Sequence, residues 1–128
     1  MKIQTRLFVV IPVLICIFLS ACSSVVECYD DTDIPTFTAI TGIKLGEIDP
    51  PDKKGGIFSA YYPCTNLEER SRSSNQYIEY LTNQGWVVTQ NGGSGAILEK
   101  GRGLISILPG RNEDGSVFVG IIILPGNT

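Results

Sequence analysis

Apolar and polar residues change rhythm several times along this chain of 128 residues. From Leu7 to Leu19 the run is apolar, broken only by Pro12. Residues 23–35 are polar and acidic and end at Pro35, which predicts a tether rather than a packed element. Thr36 to Leu45 is rich in threonine, phenylalanine and isoleucine, a composition that predicts a strand pair or an irregular strand around Gly42. Two prolines and two glycines make residues 49–56 a loop, and Ile57 to Tyr62 alternates loosely as a strand ending at Pro63.

The period then becomes helical. Leu67, Ser71, Ser74, Ile78 and Leu81 recur three or four residues apart and give one narrow face, predicting a helix over about 66–84. Thr65 with Glu68 fits a capping box, and Asn66 with Glu69 offers the same chemistry one residue on. Gly85 stands where a left-handed residue closes a helix. Beyond it Trp86 to Thr89, Ala96 to Lys100, Leu104 to Leu108 and Val117 to Leu124 read as strands joined by glycine-rich turns. The chain is therefore expected to be α+β, with one main helix packed on an antiparallel sheet that ends in a C-terminal β-meander.

The last strand poses a covering problem. Val117, Val119, Ile121 and Ile123 point one way, while Phe118, Ile122 and Leu124 point the other. A strand apolar on both faces is normally buried on both. One helix covers only one face, so residues 36–62 are expected to cover the second, with a second molecule or a membrane-proximal contact as the alternatives.

Candidate chemistry is sparse. The chain has no histidine, which removes serine–histidine and cysteine–histidine catalysis and the common zinc sites. Asp30-Asp31-Thr32-Asp33 lacks the glycine and the distal glutamate of a calcium-binding loop and reads as acidic linker. Glu68 and Glu69 are accounted for by the helix start, and Glu79 by an exposed helix face. The loop from Asn91 to Gly95 leads into a strand, with no lysine-serine pair behind it, so it is no phosphate cradle. No catalytic residue, metal ligand or cofactor is assigned. A net charge of −3 gives no electrostatic footprint for nucleic acid.

The start of the chain carries its clearest signal. Lys2 and Arg6 precede the apolar run, and Ser20-Ala21 precede Cys22. Thirteen residues in a helix rise about 20 Å, short of a hydrocarbon core of about 30 Å. The tetrapeptide Leu19-Ser20-Ala21-Cys22 resembles the lipobox of bacterial lipoproteins. The resemblance implies cleavage between Ala21 and Cys22 and a diacylglyceryl thioether on Cys22, usually with a further fatty acyl chain such as palmitate on its amino group. Residues 1–21 would be the signal peptide, 22–35 the lipidated tether and 36–128 the domain. The implied address is the bacterial cell envelope, with the membrane as partner through that lipid. Ser23, in place of an aspartate, implies the outer membrane facing the periplasm in a double-membraned cell, and otherwise the outer face of the cell membrane.

Processing at Cys22 would also change the charge and the cysteines. Loss of Lys2 and Arg6 leaves eight basic residues against thirteen acidic ones, a net charge of −5. Cys16 leaves and Cys22 is lipidated, so Cys28 and Cys64 remain as an even pair in an oxidising compartment. A disulfide between them is expected, with two separate thiols as the alternative; the bridge would stabilise the domain by about 3–4 kcal/mol. The function expected is a non-catalytic envelope binding or structural module, acting through an envelope protein or a second copy. The alternative is an envelope hydrolase or hydrolase inhibitor. Tyr62-Pro63-Cys64-Thr65-Asn66-Leu67 does not reproduce the tyrosine-x-cysteine-x-x-glycine signature of small lipid-anchored lysozyme inhibitors.

Overall fold

The computed structural model describes residues 26–53, 55–92 and 95–126. A short helix α1 (Phe37–Thr41) is followed by strands β1 (Glu47–Asp49) and β2 (Phe58–Cys64) and by the main helix α2 (Leu67–Asn83). Four strands complete the chain: β3 (Val87–Gly92), β4 (Gly95–Lys100), β5 (Gly103–Arg111) and β6 (Val117–Leu124). All six join one sheet in the order β1-β2-β6-β5-β4-β3, with every neighbouring pair antiparallel. The α+β expectation holds: α2 packs on this sheet, and β3 to β6 form the meander.

Helix α2 begins one residue later than the first capping choice implied. Asn66 is the N-cap, its side chain accepting the Glu69 N–H at 2.8 Å, while the Glu69 carboxylate accepts the Thr65 N–H at 2.9 Å. At the other end Gly85 takes φ 98°. The Gly85 and Trp86 N–H groups then bond to the carbonyls of Thr82 and Leu81, closing a Schellman motif. The buried face is Ser73, Ser74, Tyr77 and Leu81. It is turned from the expected stripe toward Tyr77, because the tyrosine hydroxyl reaches a partner below the helix.

Residues 36–45 depart from the expected strand. Thr36 caps a helix by accepting the Ala39 N–H at 3.1 Å, and Gly42, at φ 80°, ends α1 after five residues. The cap overrides a β-favouring composition. Strand β2 in turn runs on through Pro63 to Cys64, opposite Phe118 and Val117. Tyr61 O accepts the Gly46 N–H, so odd-numbered residues of β2 turn their backbone toward β1. Strand β1 ends its pairing at Tyr61, and the missing N–H of Pro63 therefore removes no ladder bond.

Phe58, Ala60 and Tyr62 of β2 face α2 together with Val119, Ile121 and Ile123 of β6, Ile105 and Ile107 of β5, and Ala96 and Leu98 of β4. Tyr29, Ile34 and Phe37 belong to the same core. The tether expected over 22–35 is thus shorter at its domain end. Thr36 N–H bonds to Glu27 O at 2.9 Å, Tyr29 N–H to Ile34 O at 3.0 Å, and Cys28 pairs with Pro35, making residues 27–36 a folded strap.

Three tyrosines hold this strap. The Tyr29 and Tyr62 hydroxyls lie 2.5 Å apart, and the Phe37 N–H donates to Tyr29 Oη at 3.3 Å. Tyr77 Oη donates to Pro35 O at 2.7 Å. Between them the Phe37 ring lies 4.8 Å from that of Tyr62 and 5.1 Å from that of Tyr77. Strap and α1 lie on the same side of the sheet as α2, so the cover expected from residues 36–62 falls on the wrong face to solve the problem posed by β6.

Burial, the leading cause, pushes all three tyrosines well above the ordinary phenol range. A raised folded pKa leaves the contribution to stability intact below about pH 10, the unfolded value, and removes it as pH rises further. The urea midpoint is expected to fall most steeply above about pH 10; an unchanged midpoint in strong alkali would contradict the buried network. Tyr77→Phe strips the Pro35 carbonyl of its donor and is expected to cost about 1–3 kcal/mol in urea denaturation.

Candidate functional site

The register of the sheet defines the face away from α2. Ser59, Ile122, Ser106 and Ile97 form one row across it, Tyr61, Gly120 and Leu108 a second, and Pro63, Phe118 and Gly110 a third. Leu104 and Leu124 pair beyond them, with Leu108 and Leu124 exposed. Among the described residues no helix packs on this face, and the β5–β6 turn reaches only its edge, through Asn112.

Two glycines shape it. Phe118 lies across Gly110, where a Cβ would run into its ring. Tilted against Tyr61 with centroids 4.6 Å apart, it forms an aromatic wall. Gly120 has no side chain to fill the space between Tyr61 and Leu108, and a groove of about 470 Å³ opens there. Its floor is apolar (Ile122, Leu108), while Glu47 and Asp49 of the edge strand β1 stand on its rim. Asn112 Nδ2 donates to Tyr61 Oη at 2.8 Å and to Ser116 Oγ at 2.9 Å, fixing the phenol at one end of the wall. Such a groove suits an apolar or aromatic side chain, with the carboxylate rim favouring a basic flank.

Glu47 and Asp49 deserve weighing as a catalytic pair, because residues two apart on a strand share a face and lie about 7 Å apart. Both are exposed on an edge strand. A carboxyl pair divides into acid and nucleophile when one member is buried away from water, and neither is. Their position serves as a charged rim.

The residues singled out from the sequence do not gather here. Ala21 and Cys22 lie outside the described residues. Cys28 and Cys64 are free thiols, and the bridge expected between them is not formed in this structure. Each sulfur instead turns to the carbonyl two residues before it, Cys28 to Val26 and Cys64 to Tyr62. Burial pushes both thiols up, helped by Asp33 and Glu27 beside Cys28 and by Glu69 beside Cys64. Asp30-Asp31-Thr32 forms a tight turn, with Asp31 at φ 60° and Thr32 bonded to Tyr29 O. Among the described residues no cluster of metal-ligating side chains occurs, and no helix is long and apolar enough to cross a membrane.

Compared with protein-family models, with curated proteins and with solved structures, the chain matches none. The face must be argued from its own residues. Its apolar outward positions on β6 were legible in the alternation, whereas the groove over Gly120 depends on which strands flank β6.

Gly110→Ala is expected to dislodge Phe118 and to cost about 1–3 kcal/mol by overpacking, read from urea denaturation. Gly92→Ala, where nothing lies within 4 Å of the added methyl, is the control and should cost far less.

Proposed function

We propose that this protein is a bacterial envelope lipoprotein, anchored through Cys22, whose open sheet face docks a protein partner without catalysis. The observation that carries the docking reading is the face itself: Tyr61, Phe118, Leu108, Ile122, Leu104 and Leu124 are contiguous on the side of the sheet opposite α2. Extended apolar surface on a small domain marks an interaction site. The acidic rim of Glu47 and Asp49 favours a partner that brings an aromatic or aliphatic side chain flanked by lysine or arginine. The lipobox resemblance of Leu19-Ser20-Ala21-Cys22 supports the anchor and the envelope address.

The strap sets how far the domain stands from the lipid. Among the described residues its first backbone hydrogen bond is at Glu27, five residues after Cys22. An extended chain of that length spans at most about 18 Å. The short leash follows from packing and needs no Cys28–Cys64 bridge. A partner is therefore sought among proteins at the same membrane surface.

Two measurements test this reading. Cys22→Ser is expected to abolish fatty-acid labelling and to release the protein from membranes; continued labelling would refute the anchor. Ile122→Glu with Leu108→Glu is expected to abolish crosslinks to the envelope partner, while Arg72→Glu on the exposed side of α2 leaves them intact. Equal crosslinking by all three proteins would remove the sheet face from the interaction.

A further inference from the structure

The face opposite α2 carries acid on both sides of its apolar strip. Glu99 of β4 pairs with Leu104, and Leu104 pairs with Leu124, so Glu99 shares the outward face with Glu47 and Asp49 and is exposed like them. In the sheet order, β6 lies two strands from β1 and two from β4. The acidic strands are thus about 19 Å apart, with β2, β6 and β5 between them. The cations of the six strands are Lys100 and Arg111, and neither takes an outward position. Lys100 Nζ donates to Gln84 O at the end of α2, and Arg111 pairs with the buried Val117.

We propose that the partner on this face is a basic amphipathic helix lying along β6, with one flank of lysine or arginine against Glu47 and Asp49 and the other against Glu99. The inference rests on the docking reading above and names its occupant. A sheet face offers side chains but no backbone hydrogen-bonding groups, so a segment buried on it must satisfy its own, as a helix does. A helix is about 10–12 Å across with its side chains. Centred on β6, it stands over the strip and leaves each acidic strand within reach of long basic side chains. The outward positions from Phe118 to Leu124 run about 20 Å, the length of about thirteen helical residues. Gly120 lets the helix approach the sheet, and the groove between Tyr61 and Leu108 takes one of its apolar side chains. A second copy docked along the same strip would set acid against acid, and anionic lipid would be repelled in the same way.

The probe is a synthetic leucine–lysine peptide of about fourteen residues, with leucines every three or four positions and lysines on both flanks. It is titrated into the full-length protein in zwitterionic-detergent micelles and followed by the backbone amide resonances of Gly110 and Gly120. Saturable shifts are expected. None are expected from a peptide with the same leucines and glutamate flanks, or from the lysine peptide interrupted by a central proline. Glu47→Gln with Asp49→Asn, and separately Glu99→Gln, are each expected to weaken binding several-fold and to reduce its dependence on salt. Equal shifts with either control peptide, a loss confined to one acidic strand, or no saturable shift would each overturn the helix. The peptide comparison uses the unaltered protein, so it stands even if a variant fails to fold. The docking reading fails separately, if Ile122→Glu with Leu108→Glu leaves the crosslinks to the envelope partner unchanged.

Discussion

The structure depends on burying tyrosine hydroxyls only where each finds a partner. A sheet of six strands with one seventeen-residue helix leaves part of its inner face bare, and the strap of residues 27–36 fills that gap. A strap is mostly backbone, and backbone carried into a core brings polar groups that require partners. Tyr77 and Tyr29 provide them, at Pro35 O and the Phe37 N–H, and their rings supply apolar area at the same time. The strap, α1, α2 and β2 are thereby joined at one point. Loss of a single hydroxyl there acts on four elements together.

That arrangement also determines which face remains open. Among the described residues the strap, α1 and α2 all lie on one side of the sheet, so β6, apolar on both, has no second layer over its outer side. The contrast between its two sides is in kind as well as exposure. The inner side is closely filled with branched and aromatic residues, while the outer one is cut by Gly110 and Gly120 into a wall and a groove. Phe118 packs over glycine backbone and supports the outer face without another layer.

The sequence was most readable where structure is local. The span of α2, its closure at Gly85 and the meander follow from periodicity and turn composition. The two-sided strand Val117–Leu124 announced an open-face problem before any topology was known. What could not be read is tertiary. Residues 27–36 look like linker because Tyr29 and Ile34 are isolated apolar residues among aspartates, and nothing local shows that each drops into a core. Residues 36–41 favour strand by composition, but the Thr36 side chain supplies a cap.

The strap has a last consequence, for encounter rates rather than for stability. Were Cys22 lipidated as proposed, a leash of five residues would confine the domain to a thin layer over the bilayer, and a partner in the same membrane would meet it by lateral diffusion. Within that layer the effective concentration of each for the other is set by the leash and not by the amount of protein in the compartment. A groove that would be too weak a binder in free solution can then be occupied most of the time, and a change in leash length would alter that occupancy with no contact changed.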